Sequence, residues 1–348
     1  MITIADKRIS YKSPIFIIAE AGVNHNGSLT NALKLIDAAA AAGVDAVKFQ
    51  TFKAEEVVTA QGAMADYQKK NIGKTESQLN MLKKLELNEK FYQPIIKHCR
   101  QKKIIFLSTP HGGEKSVYFL NSLRVPAFKF GSGDLTNLPL LRYAARYQKP
   151  MILGTGMSVL REIAEAVRVI KRAGNKKIII LHCTTAYPCP FSAVNLKAMQ
   201  TMMREFKVLV GYSDHTLGVT VPVMAAALGA CVIEKHFTLD KNLPGPDHKA
   251  SLEPAELKRM VAAIRETEIA MGSAKKQPAE IEKKNKLIGR KSIVTVGGIN
   301  KAMVIDKKML AVKRPGTGIP PKFLNKIIGR KAKKNIAKDY LIKWSDIL

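Results

Sequence analysis

Eight short runs rich in β-branched residues alternate with segments of helical period along the first 271 residues. The runs are IFIIA from Ile15, VDAVKF from Val44, KIIFLS from Lys103, AFKFGS from Ala127, PMILG from Pro150, KIIILHC from Lys177, KVLVGY from Lys207 and CVIEKHF from Cys231. Residues 158–173 and 254–271 show the apolar spacing of amphipathic helices, each followed by glycine. Such alternation indicates a parallel sheet covered by helices.

Two architectures fit this pattern, a closed barrel and an open doubly wound sheet. Eight strand–helix units in a segment of this length match a (β/α)8 TIM barrel, which takes about 250 residues. A doubly wound sheet usually carries GxGxxG after its first strand, whereas the first run here continues into EAGVNHNG. We therefore predict the barrel.

The remaining segments predict three regions: a barrel over 1–271, a polar linker over 272–290 and a small β-rich domain over 291–348. The last region contains SIVTV and MLAVKR, two strand-like pieces separated by Gly and Pro turns. Within the barrel, the connection over residues 53–88 is unusually long, which suggests a lid or a subunit contact.

The composition is that of an ordinary globular protein except for its charge. The formal net charge is +29. Such a charge could favour binding to nucleic acid, to a membrane surface or to acidic small substrates. Aromatic residues make up only 6%, and we find no RNA-binding motif, so we expect no nucleic-acid partner. The sequence lacks a secretory signal and an apolar run of the roughly 18 residues needed to span a bilayer. We expect a cytoplasmic protein with no membrane partner and with reduced cysteines.

Polar and ionisable residues stand at the end of nearly every predicted strand, where a barrel places its active site. A lysine that points into a barrel is costly without an anion. Lys48 and Lys129 therefore imply a bound anion, and the glycine loops at Gly131 and Gly154 expose backbone N–H groups as phosphate sites do. These features indicate a phosphorylated substrate.

Two histidines, His215 and His236, end the seventh and eighth runs. Those strands are neighbours in a barrel, and imidazoles that converge in this way are common ligands of divalent metals. We predict a metal centre with open coordination positions.

Together the motifs resemble those of the sialic acid synthase family, which includes N-acetylneuraminate and legionaminic acid synthases. The resemblance covers essentially the whole chain. The motifs that carry it are IAEAGVNHNGSL at Ile18, VKFQTF at Val47, FLSTP at Phe106, FKFGSGD at Phe128, GTGMS at Gly154, LHCTTAYP at Leu181, GYSDHT at Gly211 and EKHFTLDKNLPGPDHKASLEP at Glu234. The tail from Lys291 resembles the C-terminal antifreeze-like (SAF) domain of that family.

The resemblance implies roles for individual residues. His215 and His236 would hold the metal, Mn²⁺ with Mg²⁺ or Co²⁺ as alternatives, and Glu20 would be the acid–base group. Phosphoenolpyruvate would be held by Lys48, Thr109, Lys129, Ser132 and Ser213, and Lys48 would also be catalytic. The residues toward the sugar would be Gln50, Tyr187 and Asp247, and Thr185 would also bind substrate. The resemblance further implies a domain-swapped homodimer in which Arg314 reaches the partner's sugar site.

The expected reaction condenses phosphoenolpyruvate with N-acetylmannosamine, or a related N-acyl amino-hexose, and water to give N-acetylneuraminate and phosphate. Departures at Gly154 and Thr185 leave an alternative acceptor, 2,4-diacetamido-2,4,6-trideoxymannose, whose product is N,N'-diacetyllegionaminate. Another phosphoenolpyruvate aldol synthase is a second enzyme candidate, disfavoured by the KRPG-bearing tail.

Overall fold

The chain forms two compact units, Met1–Gly272 and Ser273–Leu348, in a computed structural model that describes residues 1–72 and 76–348. The strands of the first unit are β1 (Ile2–Ile4), β2 (Lys7–Ile9), β3 (Phe16–Gly22), β4 (Ala46–Thr51), β5 (Ile105–Pro110), β6 (Phe128–Phe130), β7 (Met151–Gly154), β8 (Ile178–His182), β9 (Leu209–Asp214) and β10 (Val232–His236). Its helices are α1 (Leu29–Ala42), α2 (Ala54–Val57), α3 (Asp66–Ile72), α4 (Gln78–Leu85), α5 (Glu89–Gln101), α6 (Gly113–Ser122), α7 (Leu138–Ala145), α8 (Leu160–Arg172), α9 (Lys197–Phe206), α10 (Thr220–Ala227) and α11 (Pro254–Met271).

Strands β3 to β10 form one parallel sheet in the order β5-β4-β3-β10-β9-β8-β7-β6. The two outer strands of that order, β5 and β6, are neighbours in space, so the sheet curls into a near-closed barrel. The predicted (β/α)8 architecture is therefore confirmed, and the eight predicted runs correspond to these eight strands.

Each barrel strand separates two apolar layers because successive side chains point to opposite faces. Ile17 and Ile233 face outward and pack with residues of the surrounding helices. Phe16, Ile18 and Val232 belong to a second buried cluster, which fills the barrel interior.

A short antiparallel hairpin, β1 with β2, precedes the barrel and was not predicted from the sequence. Its Ile4 and Ile9 are completely buried and join the interior cluster with Ile18 and Val232. Strands of three residues are too short to show a period, so the pattern gave no signal for them. The hairpin closes the end of the barrel where the parallel strands begin, and the open end is the one where they finish.

The long connection over residues 53–88 carries α2, α3 and α4, apart from residues 73–75, which lie outside the described part. Its apolar residues Met64, Met81 and Leu85 form a separate cluster with Val23 and Phe52, which follow β3 and β4. The connection is thereby anchored beside the C-terminal ends of the barrel strands.

The second unit contains α12 (Glu282–Gly289), β11 (Ser292–Thr295), β12 (Leu310–Lys313) and α13 (Leu324–Ile327). The two strands are antiparallel and coincide with the predicted SIVTV and MLAVKR pieces. Helix α12 lies in the segment predicted as a linker, and the core of the unit is rich in isoleucine. Among the described residues, no helix is both long and apolar enough to cross a membrane.

Candidate active site

The barrel interior changes from apolar to polar as the strands approach their C-terminal ends. In β10, Val232 lies in the interior cluster, and Glu234 and His236 follow it at two-residue spacing. Glu20 follows Ile18 in the same way in β3. Because residues two apart along a strand share a face, these ionisable side chains point inward.

They surround a cavity of about 220 Å³ at this end of the barrel. Every barrel residue singled out from the sequence lines it: Glu20, Lys48, Gln50, Thr109, Lys129, Ser132, Thr185, Tyr187, Ser213, His215, His236 and Asp247. Arg314 belongs to the second unit, where it is exposed directly after β12.

Two lysines and two glutamates form a buried charged cluster at the base of the cavity. Lys48 Nζ lies 2.6 Å from Glu20 Oε2, and Lys129 Nζ lies 3.1 Å from Glu234 Oε1. The register of the sheet produces the first pair, since Glu20 and Lys48 stand opposite each other on β3 and β4. Each lysine thus already has a carboxylate partner in the protein, which the sequence argument for a bound anion had not foreseen.

The two carboxyl groups of this cluster differ in their affinity for protons. Burial raises the pKa of Glu20, Lys48 offsets part of that shift, and the charge of Glu234 adds to it. Burial also opposes ionisation of Glu234, but Lys129 and Lys48 outweigh it and lower its pKa. Such separation of two nearby groups is typical of acid–base sites. When Glu20 holds a proton, two ammonium groups face one carboxylate, and the cluster favours an anion.

Neutral hydrogen-bonding side chains surround the charged cluster. Thr109 Oγ1 accepts from Lys48 Nζ at 3.0 Å, Gln50 Nε2 donates to Glu20 Oε1 at 3.2 Å, and Ser213 Oγ donates to Glu234 Oε1 at 3.2 Å. These contacts hold the charged groups at the C-terminal ends of β3, β4 and β10.

The loops after β6 and β7 meet at the cavity wall. Ser132 Oγ accepts from the backbone N–H of Gly156 at 3.0 Å. A side chain at position 156 would collide with Thr185, because a Cβ there would lie 2.2 Å from Thr185 Oγ1. Glycine is therefore required at this position, which keeps the Ser132 and Thr185 hydroxyls close together.

The histidines His215 and His236 lie side by side, with ring centroids 5.5 Å apart. Tyr187 covers both, at 4.2 Å from the His215 ring and 5.6 Å from the His236 ring. Burial lowers the pKa of both imidazoles, so they are neutral near pH 7. Neutral imidazole is the form that binds metals.

The hydrogen bonds of these rings also suit a metal. His215 Nδ1 lies 2.7 Å from the carbonyl oxygen of Thr184, so Nδ1 donates and Nε2 keeps its lone pair. In the part of the chain that the structure describes, the buried His236 Nδ1 has no hydrogen-bond partner, and Asp247 Oδ2 is 3.9 Å away. Among the described residues, no three His, Cys, Asp or Glu side chains are grouped to hold a metal. Two imidazoles with open positions therefore fit a cation that also binds substrate or water.

Part of the cavity wall is apolar, and the sequence analysis missed it. Its apolar residues include Val23, Met81, Leu82, Leu85 and Met157. Three of these belong to α4, in the connection over residues 53–88. The three residues of α4 lie outside every motif quoted above, whereas Val23 and Met157 lie within the IAEAGVNHNGSL and GTGMS motifs but were not singled out as lining residues.

Helix α3 of the same connection extends over the mouth of the cavity. The ring of Tyr67 packs 5.1 Å from that of Tyr187, and Asn71 Nδ2 donates to the carbonyl oxygen of Pro246 at 2.6 Å. Burial, and next the charge of Asp247, raise the pKa of the Tyr67 hydroxyl. The long connection, predicted to be a lid or a subunit contact, thus contributes a lining residue, Tyr67, that the sequence analysis did not name.

The sequence matches the NeuB family over residues 35–276 and the SAF domain over residues 290–348. The chain belongs to the NeuB family. It is therefore a phosphoenolpyruvate-dependent synthase that forms a carbon–carbon bond, as the resemblance implied.

Relatives within the family differ in how closely they match. N,N'-diacetyllegionaminic acid synthase of Campylobacter jejuni is 50% identical over 94% of this chain and 98% of its own. The enzyme of the same name from Legionella pneumophila is 45% identical, over 95% and 94% of the two chains. The solved structure of an N-acetylneuraminic acid synthetase from Leptospira borgpetersenii is 33% identical, with a TM-score of 0.72, over 82% of this chain and 94% of that one. Of these three, the two relatives named for N,N'-diacetyllegionaminic acid are the more similar to this chain in sequence.

Proposed function

We propose that this NeuB-family enzyme condenses phosphoenolpyruvate with 2,4-diacetamido-2,4,6-trideoxymannose and water, giving N,N'-diacetyllegionaminate and phosphate. Two relatives that bear the name of this activity match the chain at 50% and 45% identity. N-acetylmannosamine, the acceptor first expected, remains the principal competitor.

The apolar wall of the cavity is the feature that distinguishes these two acceptors. The proposed acceptor has a methyl group at C6, where N-acetylmannosamine has a hydroxymethyl group, and it has a second acetamido group at C4. Met81, Leu82 and Leu85 offer apolar surface to such methyl groups, and they offer no partner to a hydroxyl. Burial of one methyl group is worth roughly 1 kcal/mol, and a hydroxyl left without a hydrogen bond costs about 1–3 kcal/mol.

Phosphoenolpyruvate occupies the charged side of the cavity in this proposal. Lys48 and Lys129 pair with its phosphate and carboxylate, and the hydroxyls of Thr109, Ser132 and Ser213 complete the site. Fixed cations in a closed cavity stabilise the substrate and the charge that develops during reaction.

Glu20 supplies the acid–base chemistry. C3 of phosphoenolpyruvate forms a bond to the aldehyde carbon, and the electron pair of the aldehyde π bond goes to its oxygen, which takes up a proton from solvent. C2 becomes electron-poor, and water adds to C2 before phosphate leaves. The adding water must lose a proton, and the Glu20 carboxylate can accept it because burial raises the pKa of this group. Lys48, at 2.6 Å, holds the carboxylate in place.

His215 and His236 would hold a divalent cation, which we take to be Mn²⁺, with Mg²⁺ or Co²⁺ as substitutes. Two observations support this assignment: among the described residues His236 Nδ1 has no hydrogen-bond partner, and the bond from His215 Nδ1 to the carbonyl oxygen of Thr184 leaves Nε2 with its lone pair. A cation bound there would act as a Lewis acid on the acceptor's aldehyde oxygen. Gln50, Tyr187, Thr185 and Asp247 complete the sugar side of the cavity.

We also propose a homodimer in which the second unit of one chain covers the barrel of its partner, so that Arg314 contacts an acyl group of the partner's sugar. The family resemblance and the exposed position of Arg314 support this arrangement. We assign the reaction to the cytoplasm, where phosphoenolpyruvate is formed.

An acceptor panel tests the proposed function. Purified protein with Mn²⁺ and phosphoenolpyruvate is given either acceptor, and the product is identified by mass. We expect kcat/KM for the diacetamido-trideoxy acceptor to exceed that for N-acetylmannosamine by about 10-fold or more, since one misplaced group in a pocket is worth 10- to 200-fold. A preference for N-acetylmannosamine would overturn the assignment. Glu20→Gln is the matched inactive control.

A further inference from the structure

His111 lines the active-site cavity, although no motif singled it out. It directly follows β5, and its backbone N–H donates to the carbonyl oxygens of Thr51 at 3.0 Å and Thr109 at 3.1 Å. Its side chain is 30% exposed. The sheet therefore fixes the backbone of a partly exposed imidazole directly beside the predicted phosphoenolpyruvate contact Thr109.

The imidazole ring lies against the loop after β6. A Cβ on Gly131 would come within 3.1 Å of His111 Cε1, so glycine at this position lets the ring approach the loop that carries Ser132. Asp134, on the same loop, lies with Oδ2 3.8 Å from His111 Nδ1, within the range of an ion pair. Because Nδ1 faces the carboxylate, Nε2 is the nitrogen left for a ligand.

The charges around His111 suit a ring that gains a proton when an anion arrives. Burial, and next Lys48 on β4 and Lys129 on β6, lower the pKa of the imidazole. The ring is therefore neutral while the cavity is empty. A phosphoryl group bound between the same lysines, as in the proposed function, would offset their effect on the imidazole, and Asp134 adds a second negative charge.

We propose that His111, oriented by Asp134, contacts the phosphoryl group of bound phosphoenolpyruvate and donates a proton to the phosphate as it leaves. This inference rests on the proposed function and adds a catalytic residue to it. Asp134 is then a positioning residue, since it acts through the imidazole.

Every proton in this step has a source and a destination. After water has added, C2 carries a hydroxyl group and the phosphate ester. The bond between C2 and the ester oxygen breaks, its electron pair goes to that oxygen, and the His111 proton follows it. The C2 hydroxyl forms the keto group and loses its proton to water, so imidazole leaves the step neutral and is protonated again with the next substrate.

Calorimetry of phosphoenolpyruvate binding tests the contact without any acceptor sugar. The wild-type protein, His111→Gln and His111→Phe are titrated at pH 7.0 and constant Mn²⁺ in two buffers of different ionisation enthalpy, which gives the protons taken up on binding. We expect the wild type to take up about one proton more than either variant, as linkage requires of a group that is protonated on binding. Equal proton uptake in all three proteins would overturn the proposal.

Steady-state kinetics separates catalysis from packing. Glutamine keeps a hydrogen-bond donor but cannot transfer a proton, so His111→Gln should lose about 100-fold in kcat, within the usual range for general acids, with a small change in KM for phosphoenolpyruvate. Phenylalanine fills the same space without a donor, so His111→Phe should also raise that KM. Asp134→Asn should lower kcat, and this variant should still take up a proton when phosphoenolpyruvate binds.

Control measurements keep the result decisive. Thermal unfolding and circular dichroism identify any variant that does not fold, in which case the Asp134→Asn kinetics and the remaining variant decide. Wild-type kcat in the His111→Gln protein would overturn the catalytic role. If the wild type binds phosphoenolpyruvate but makes no sugar acid with either acceptor, the proposed function fails while the calorimetric result for His111 stands.

Discussion

Lys235 and Asp214 form an ion pair in which both side chains are completely buried. They lie on β10 and β9, one residue before His236 and His215 respectively, and they point away from the barrel interior because neighbouring residues of a strand alternate. Asp214 also accepts from Tyr212 Oη at 3.0 Å and from Thr216 Oγ1 at 2.9 Å. The pair therefore ties the two strands together directly behind the candidate metal ligands.

Removal of one partner from this pair should destabilise the barrel strongly. Lys235→Met leaves the Asp214 carboxylate buried without its cation, which typically costs about 3–5 kcal/mol. Urea unfolding should show this loss. The matched control is Lys241→Met, which breaks the partly exposed pair with Glu256 and should cost about 1 kcal/mol or less. Similar losses in both variants would contradict the structural role of the buried pair.

The sequence predicted the barrel and most of the cavity because both depend on short-range patterns. The two-residue spacing from Val232 to Glu234 and His236 places polar groups inside the barrel wherever a strand ends. Other parts of the site depend on pairings that no local pattern encodes. The Lys129–Glu234 contact joins residues more than 100 positions apart, and Tyr67 reaches Tyr187 from the long connection.

His111 shows a different limit of sequence analysis. The FLSTP motif directs attention to Ser108 and Thr109, and a single histidine after it has no spacing that marks a site. The role proposed for His111 depends on Gly131 and Asp134, which a separate loop brings beside the imidazole ring. Only the three-dimensional arrangement relates these residues.

Loss of the Lys129 ammonium group should affect phosphoenolpyruvate more than the sugar. Lys129→Ala removes a charge from a closed cavity and leaves Glu234 without its 3.1 Å partner. Truncation of one partner of a buried charge pair typically costs about 2–5 kcal/mol of binding free energy. We expect a large fall in kcat/KM for phosphoenolpyruvate, measured with saturating acceptor, and a smaller change in the KM of the acceptor. The control is Lys149→Ala, since Lys149 is partly buried and does not line the cavity. A change confined to the acceptor would show that Lys129 is misassigned.

The synthase reaction should depend on a metal ion that is bound by His215 and His236. Chelation of the wild-type protein should abolish synthesis, and added Mn²⁺ should restore it. The His215→Ala, His236→Ala double variant should bind no Mn²⁺ in equilibrium dialysis, because the remaining oxygen ligands form no site of three groups among the described residues. Full turnover after thorough chelation, or wild-type Mn²⁺ binding by the double variant, would reject the assignment.

A polar residue in the apolar wall should shift the choice of acceptor. Leu82→Gln gives the wall a hydrogen-bonding group, which should favour a hydroxymethyl over a methyl group at C6 of the sugar. We expect the kcat/KM ratio between the diacetamido-trideoxy acceptor and N-acetylmannosamine to fall about 10-fold. Leu228→Gln is the control, since Leu228 is partly buried on the outer side of the barrel. An unchanged ratio in Leu82→Gln would remove α4 from acceptor selection.

Exchange of subunits between two inactive variants tests the swapped dimer. Arg314→Ala disables the second unit, and Glu20→Ala disables the barrel, so each protein alone should be inactive. In a swapped heterodimer, one active site receives both lesions and the other receives neither. Activity should therefore return toward half the wild-type value per heterodimer once subunits mix.

The alternative arrangement gives the opposite result. If each second unit serves the barrel of its own chain, every active site keeps one lesion and mixing restores nothing. Subunit exchange is confirmed independently by native mass spectrometry of chains that carry different isotope labels. Confirmed exchange without recovered activity would reject the swap, and the chemistry assigned to the barrel would be unaffected, because Glu20, Lys48 and Lys129 all lie within the first unit.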